Sequence, residues 1–306
     1  MSKRRSFGPT KSNGEFSHGP WHVEYRLNDG GRLSRLSYRG YDLLTTAPSE
    51  FRPPASEHGR FEDRPVYGYD DCFPSVVACL YPGLQIRIPD HGEVCWLAWE
   101  LSEEPDSLTF FVRSKLFPVV FKRRMLFTDS SIIWTFEVLN EGKDVLPFQH
   151  SMHPLVRVDE LESVELPEFE SVFDWNKNQV LSPMTPGNLA DFLLDRPEGA
   201  VEMLFVRDVK TGEMSWTYRS GLSLMMKFPA EYFQAIGIWW DNGGYPDEDG
   251  IRRSECAFEP TPGRSSLLTQ AYADGNCLAV GPGAKFKWQV TWEVKRDLKE
   301  RTHRAI

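Results

Sequence analysis

Short runs that alternate between apolar and polar residues fill most of the chain, and turn-forming residues separate them. Residues 21–27 alternate and stop at the Asn-Asp-Gly-Gly of residues 28–31. Residues 32–38 alternate again, and a third run at residues 41–44 follows Arg39-Gly40. Alternation with a period of two predicts half-buried strands, and Gly- and Asn-rich breaks predict the turns between them. The beginning of the chain therefore predicts a three-stranded meander.

The same pattern continues to the end of the chain. Helical patterns are few, with one at residues 188–194 and another at residues 265–274. About fifteen strands with turns roughly every ten residues predict an all-β fold, a large antiparallel β-sandwich. The later strands are predicted at residues 94–101, 108–117, 124–127, 131–140, 146–150, 155–158, 163–166, 200–206, 215–218, 223–228, 235–240, 253–258, 277–280 and 286–294.

The distribution of these runs predicts a single folded domain over residues 21–294. Residues 1–20 are polar and rich in Gly and Ser, which predicts a flexible arm, and residues 295–306 form a charged tail. Residues 45–70 carry Pro, Ser, Glu and Arg without periodicity, which predicts a long surface loop. Long loops on a rigid scaffold often carry function. A total of 306 residues is compatible with one large sandwich.

Charge and composition restrict the class of partner. The formal net charge is −9, so a nucleic acid is a poor partner and a small neutral ligand fits better. No run approaches the ~20 apolar residues of a membrane span, and the basic start lacks an apolar signal region. We therefore expect a cytoplasmic protein, monomeric or homodimeric, without a membrane partner.

The five cysteines are odd in number and show no Cys-x-x-Cys spacing. This argues against both a disulfide framework and a zinc site, so we expect free thiols and no metal.

The chemistry-bearing residues are histidines and carboxylates beside predicted strands. Nucleotide-binding glycine loops, the zinc-protease His-Glu-x-x-His motif and the hydrolase Gly-x-Ser-x-Gly motif are not present in the sequence. Each remaining candidate also has a structural interpretation, since strand-end histidines often support packing and carboxylates often form turns. The candidates are His91 ahead of a Trp-rich run with Trp96 and Trp99, His150 and His153, Glu259 before Pro260, Asp70 and Asp71, and Asp241.

Five segments in the right order resemble the aldose 1-epimerase, or galactose mutarotase-like, superfamily. They cover nearly the whole chain: residues 28–44, the Asp-His-Gly of residues 90–92, residues 131–140 with 146–156, the Ala-Phe-Glu-Pro-Thr-Pro of residues 257–262, and residues 279–292. The resemblance implies a β-supersandwich with a sugar bound in an open cleft. It also implies catalysis without a metal or other cofactor.

By matching positions, the resemblance implies that Glu259 is the general base, His153 the general acid and His91 a second histidine at the sugar. His150 competes with His153 for the acid role. Partial desolvation between Phe258 and Pro260 is expected to raise the pKa of Glu259. The further sugar-contacting candidates are Asp71, Asp241, Trp99 and, in place of the arginine of typical members, Arg60 with Arg64 nearby.

Departures from the family pattern leave several functions open. Met152 precedes His153 and Pro154 follows it, which is more similar to a divergent branch of hexose and hexose-phosphate epimerases. The leading hypothesis is interconversion of the α and β anomers of a hexose. The alternatives are a hexose-6-phosphate 1-epimerase, a non-catalytic carbohydrate-binding protein, and a glycoside hydrolase or lyase domain, which would need a second carboxylate.

Overall fold

The computed structural model describes residues 12–47, 58, 61, 66–245 and 252–296. In this part of the chain two helices, α1 (Pro186–Leu194) and α2 (Leu268–Ala273), accompany 24 strands. The strands are β1 (Asn13–His18), β2 (Trp21–Arg26), β3 (Arg32–Tyr38), β4 (Tyr41–Asp42), β5 (Tyr69–Cys72), β6 (Cys79–Leu80), β7 (Arg87–Ile88), β8 (Glu100–Glu104), β9 (Ser107–Arg113), β10 (Val119–Phe127), β11 (Ser131–Asn140), β12 (Leu146–Phe148), β13 (Ser151–Pro154), β14 (Val156–Arg157), β15 (Leu161–Glu165), β16 (Ser171–Asp174), β17 (Gln179–Val180), β18 (Val201–Arg207), β19 (Glu213–Tyr218), β20 (Leu222–Lys227), β21 (Ala235–Asn242), β22 (Ser254–Thr261), β23 (Leu278–Val280) and β24 (Lys285–Arg296).

Three antiparallel sheets build the sandwich. The eight-stranded sheet has the order β15-β19-β20-β24-β11-β10-β9-β8. One six-stranded sheet has the order β1-β2-β3-β5-β13, with β4 paired to β3, and the other has the order β14-β22-β21-β18-β16-β17. Two short pairs, β12-β23 and β6-β7, complete the described strands.

The eight-stranded sheet packs against both six-stranded sheets through large aromatic side chains. Tyr69 of β5 lies 4.9 Å, centroid to centroid, from Trp134 of β11. On the other side, Trp216 of β19 stacks on Phe258 of β22 at 5.3 Å. Burial of rings of this size supplies much of the hydrophobic free energy of a sandwich core.

The two six-stranded sheets meet at strands β13 and β22. The hydroxyl of Ser151 on β13 donates a hydrogen bond to the carbonyl of Pro260 on β22, at 3.4 Å. Because side chains alternate between the faces of a strand, residues of β13 and β22 can face a common space at this junction. His153 lies on the first strand and Glu259 on the second.

The structure confirms the all-β fold and most predicted elements. The meander is present as β2, β3 and β4, and the run at residues 131–140 is β11. The predicted helix at residues 188–194 is α1, which begins two residues earlier, and α2 lies within the predicted segment at residues 265–274. β10 begins at Val119, five residues before the strand predicted at residues 124–127.

Strands β5 and β13 were not predicted, and two further expectations differ from the structure. Residues 94–101 were expected to form one strand, but Val94–Trp96 is a 3-10 turn and the strand begins only at Glu100. The indole of Trp99 donates to the carbonyl of Val94 at 2.8 Å, which holds this stretch in a compact turn. Residues 13–18, within the expected flexible arm, form β1 instead and bury Phe16. Residues 1–11 and 297–306 lie outside the described residues, as does most of the expected loop at residues 45–70.

Candidate active site

The pairing of β5 with β13 places His153 directly opposite Asp70. The Nδ1 atom of His153 lies 2.9 Å from Oδ1 of Asp70. Because an ionised carboxylate can only accept, Nδ1 carries the hydrogen and Nε2 remains for a partner in the cavity. Both side chains are buried, with His153 5% and Asp70 0% exposed. The two strands therefore fix the tautomer and the orientation of the imidazole.

A buried arginine holds Asp70 in turn. Arg32 of β3 places Nη2 3.0 Å from Oδ2 of Asp70 and Nε 2.8 Å from Oδ2 of Asp29. Arg32 also donates to the carbonyl of Tyr67 at 2.6 Å. A buried charge needs this degree of pairing to offset its desolvation. Arg32 thus holds the carboxyl group of Asp70 in place as the partner of His153.

The charges around His153 set its protonation. Burial lowers the pKa of His153, but the hydrogen bond to Asp70 and the negative charges of Glu259 and Asp70 outweigh this effect. The net pKa is raised above its usual value of 6.5. The raised pKa increases the protonated fraction of His153 at a given pH, which is the direction that a general acid requires.

Glu259 is the matching carboxylate on β22. Its side chain is 5% exposed and lines the same cavity as His153. Burial raises the pKa of Glu259 above 4.5, and the positive charges of His153 and His91 partly counteract this. The expected direction of the shift is confirmed. A carboxylate with a raised pKa is a stronger base than one in water.

His91 lies on a tight turn beside this pair. Its backbone φ is 58°, and that of Gly92 is 75°. A Cβ on Gly92 would lie 2.2 Å from the carbonyl oxygen of Phe73, so only glycine fits the turn. Nδ1 of His91 lies 3.1 Å from Oδ1 of Asp90, and its ring stacks on Phe61 at 3.6 Å. The ring centroid of His91 is 5.2 Å from that of His153.

Glu259, His153 and His91 open into one cavity of about 360 Å³. This volume falls within the usual range for small-molecule sites, which are apolar clefts with a few convergent polar groups. Aromatic side chains supply the flat apolar walls. They are Phe61, Trp175, Trp239 and Tyr245.

Four other predicted sugar-contacting residues do not line this cavity. His150, Asp71 and Trp99 are all buried in the core. Oδ1 of Asp71 accepts from the hydroxyl of Tyr69 at 2.6 Å and lies 3.0 Å from Nε2 of His150. Because neighbouring residues of a strand point to opposite faces, Asp70 points to the cavity side and Asp71 to the core.

Asp241 is the fourth. Its Oδ1 accepts from the backbone amides of Gly244 and Tyr245, at 2.7 and 3.0 Å, which shapes the loop that carries Tyr245 to the cavity. These four side chains are therefore not placed to contact a sugar in this cavity, contrary to the prediction. Arg60, like Arg64, lies outside the described residues.

Sequence reasoning missed Glu255 and Arg253 of the cavity wall. Both line the cavity, and Glu255 is 3% exposed. The period of two along β22 could have found Glu255, because it lies four positions before Glu259 on the same face. No comparable signal marked Trp175 or Tyr245, which reach the cavity from loops.

Neither a metal-binding cluster nor a membrane-spanning helix is present in the described ranges. No three His, Cys, Asp or Glu side chains there are grouped so that they could hold a metal ion. Neither helix in the described part of the chain has the length and apolar character needed to cross a membrane.

Solved structures with the same architecture decide the fold. The Slr1438 protein from Synechocystis sp. PCC 6803 superposes with a TM-score of 0.73 at 16% identity, covering 97% of this chain and 100% of that one. A galactose mutarotase-like protein from Clostridium acetobutylicum matches with a TM-score of 0.67 at 14% identity, over 92% and 95% of the two chains. The chain has the galactose mutarotase-like fold.

A galactose mutarotase related enzyme from Lactobacillus acidophilus has the same fold, with a TM-score of 0.66 at 14% identity over 92% of this chain and 97% of that one. No protein-family model matches the sequence, and no curated protein matches it. At such low sequence identities these superpositions establish the fold alone, and the activity has to be argued from the site.

Proposed function

We propose that the protein is an aldose 1-epimerase, which interconverts the α and β anomers of a hexose. The observation that carries the proposal is the arrangement of Glu259 and His153. Both are buried, both line the same cavity, and each has a pKa shifted in the direction its role needs. The fold of mutarotase-like proteins supports the same function.

The chemistry follows from these two groups. The Glu259 carboxylate removes the proton from the C1 hydroxyl while protonated His153 donates from Nε2 to the ring oxygen. The C1–O5 bond breaks and leaves a C1 aldehyde and a C5 hydroxyl. After rotation about C1–C2, the C5 hydroxyl attacks the other face of the aldehyde. Its proton returns to His153, and Glu259 returns a proton to the new C1 hydroxyl.

The remaining cavity residues support binding. His91 can hydrogen-bond a sugar hydroxyl through Nε2, because its Nδ1 is directed to Asp90. The aromatic walls suit the apolar face of a pyranose ring. These contacts hold the ring so that the base and the acid reach C1 and O5 together.

The test is anomer exchange measured by saturation-transfer NMR or polarimetry. Glucose, galactose and their 6-phosphates are each compared with buffer and with a Glu259→Gln/His153→Asn double variant. We expect the wild-type protein to accelerate exchange of at least one sugar, and the double variant not to. Exchange at the buffer rate for every sugar, with a binding signal retained, would instead support a non-catalytic sugar-binding protein.

Asp70→Asn is expected to change the tautomer of His153. The amide oxygen would turn to Arg32, so the amide NH₂ would face Nδ1 and place the imidazole hydrogen on Nε2. We expect kcat at pH 7 to fall about tenfold and the alkaline limb of its pH profile to move to lower pH, because the pKa of His153 falls when this negative charge is lost.

The measurement is the pH profile of kcat together with the ¹⁵N shifts of the His153 ring. The control for the ring shifts is Asp90→Asn, which changes a carboxylate that is 28% exposed and paired with His91, and should leave the ¹⁵N shifts of the His153 ring unchanged. Unchanged ring shifts in the Asp70→Asn variant would contradict the positioning role.

A further inference from the structure

Two aromatic rings of the cavity wall stand on loops that leave one sheet at the same end. Trp175 follows β16, and Tyr245 follows β21. Strand β18 lies between β16 and β21 and is antiparallel to both, so the ends of β16 and β21 both lie towards the beginning of β18. Both rings line the cavity that also holds Glu259 and His153. The two loops therefore supply one part of the wall that a bound sugar would meet.

A buried aspartate at the end of β16 fixes the first of these loops. Asp174 is 0% exposed, and its Oδ1 accepts from the backbone amide of Lys177 at 2.9 Å. The amide of Trp175 donates to the carbonyl of Met203 on β18 at 2.9 Å, and the amide of Asn178 donates to the carbonyl of Trp175 at 3.3 Å. An aspartate that binds a backbone amide a few residues ahead stabilises a turn. The turn therefore holds the backbone of Trp175 where its ring reaches the cavity.

Ion pairs hold this aspartate in turn. Nζ of Lys177 lies 2.7 Å from Oδ2 of Asp174 and 3.6 Å from Oε2 of Glu202, a buried glutamate of β18. Nη1 of Arg196 lies 3.4 Å from Oε1 of Glu202. Buried carboxylates are tolerated where cations and amides offset their desolvation. Lys177 thus ties the turn both to β16 and to β18.

The second loop is held in the same way. Asp241, near the end of β21, is also 0% exposed, and its Oδ1 accepts from the amides of Gly244 and Tyr245. The ring of Tyr245 lies edge-on to that of Trp239, with the centroids 5.2 Å apart. In each loop a buried aspartate therefore binds the amide three residues further along the chain, and an aromatic ring of the same loop lines the cavity.

We propose that Asp174 and Asp241 are positioning residues that hold Trp175 and Tyr245 in place as an apolar wall for the sugar ring. Neither aspartate is among the residues that line the cavity, so each acts on a ligand through the ring of its loop. Rings that are ordered before binding lower the entropic cost of binding, and they take no part in the proton transfer. Both aspartates therefore affect KM more than kcat. The inference rests on the proposed function for the identity of the ligand.

The experiment is a double-mutant cycle of Asp174→Ala and Trp175→Ala, measured by anomer exchange of glucose or galactose, whichever the wild type exchanges faster. Each single variant should raise KM about threefold to tenfold, with a smaller change in kcat, because one aromatic contact contributes modestly to binding. In the Trp175→Ala background, Asp174→Ala should raise KM no further. A merely structural role of Asp174 would instead add to the effect of Trp175→Ala. Asp241→Ala with Tyr245→Ala forms the equivalent cycle, and it carries the test if Asp174→Ala does not fold.

Two conservative variants separate the turn from the ion pairs. Asp174→Asn keeps an oxygen for the amide of Lys177 but loses the charge, so KM should stay near that of the wild type while thermal stability falls. Glu202→Gln changes the neighbouring carboxylate without touching the turn, and should also leave KM unchanged. Thermal unfolding verifies that each variant is folded. A KM of Asp174→Asn as high as that of Asp174→Ala would contradict the role of the turn.

The placement of the ring can be measured without any ligand. In protein labelled with 5-fluorotryptophan, the ¹⁹F resonance that disappears in Trp175→Phe belongs to Trp175. We expect Asp174→Ala to shift or broaden this resonance, and Asp174→Asn to leave it near its wild-type position. An unchanged resonance in Asp174→Ala would overturn the positioning role whether or not the protein exchanges anomers.

The outcomes separate this inference from the proposed function. If the wild type exchanges anomers but Trp175→Ala and Asp174→Ala leave KM unchanged, the inference is wrong and the epimerase remains. If the wild type shows no exchange, glucose binding by saturation-transfer difference NMR takes the place of KM. Binding that both variants weaken, with no added loss in the double variant, supports the inference although the epimerase has failed. Binding that is absent, or that neither variant changes, refutes it.

Discussion

Glu259→Gln and His153→Asn are each expected to lower kcat for anomer exchange by about 10²–10⁴-fold. Glutamine fills the same space as Glu259 but cannot take the C1 proton. Asparagine at position 153 removes the imidazolium that protonates the ring oxygen. KM should change less than kcat, because the sugar is held mainly by other groups. The two losses should not add fully, since base and acid act on one step.

The same assignment of base and acid predicts how the activity changes with pH. Activity should rise with pH through the pKa of Glu259, because the carboxylate is the base and its pKa is raised above 4.5. It should fall as pH rises through the pKa of His153, because the imidazolium is the acid and its pKa is raised above 6.5. Because Glu259 and His153 interact electrostatically, the two apparent pKa values of the profile belong to the pair and not to either residue alone.

Loss of the acid limb in Glu259→Gln, and of the alkaline limb in His153→Asn, would assign the roles. The control is His150→Asn, since His150 is buried in the core and does not line the cavity. An His150→Asn variant that folds but loses the alkaline limb would transfer the acid role to His150.

Arg123→Met is expected to lower the free energy of unfolding by about 3–5 kcal/mol. Arg123 is fully buried, and its Nη1 lies 2.5 Å from Oδ2 of Asp71. Its Nη2 donates to the carbonyl of Gly31 at 2.5 Å, and its guanidinium lies 4.4 Å from the centroid of the Phe110 ring. Methionine restores most of the volume and leaves the carboxylate of Asp71 buried without its cation.

Chemical denaturation measures this loss, with Arg124→Met as the matched control. Arg124 neighbours Arg123 on β10 but is partly exposed and lies 3.8 Å from the exposed Glu104. Surface pairs of this kind contribute about 0–1 kcal/mol. An Arg123→Met/Asp71→Leu double variant should recover part of the loss, because neither charge remains. Equal costs for Arg123→Met and Arg124→Met would contradict the buried-pair account.

Patterning predicted the strands whose two faces differ in polarity. β11 has buried apolar residues alternating with outward-facing ones over residues 131–136, so a period of two locates it. In β10 only residues 124–127 were predicted, because Arg123 interrupts the apolar residues of its buried face. β5 and β13 were missed as strands because all four residues of each are buried while several are polar. Burial of Asp70 and His153 is tolerable only because they pair with each other, and such pairing is invisible in one segment of sequence.

Some residues of the site were likewise predicted correctly from the sequence, and others were not. Glu259, His153 and His91 were predicted from the family resemblance and come together around one cavity, although their catalytic roles stay a prediction. Asp71 was wrongly expected at the sugar because the sequence does not say which of two neighbouring acids faces outward. Local rules fail most often where polar groups are buried for a purpose.

The two neighbouring acids of β5, Asp70 and Asp71, also favour the correct pairing register of this strand. In the native register Asp70 meets His153 and Arg32, and Asp71 meets Arg123. A shift of one residue would turn every side chain of this strand to the opposite face. Each acid would then be separated from the cations that neutralise it. The same electrostatic pairs that prepare the imidazole for proton transfer thus penalise misaligned strand pairing during folding.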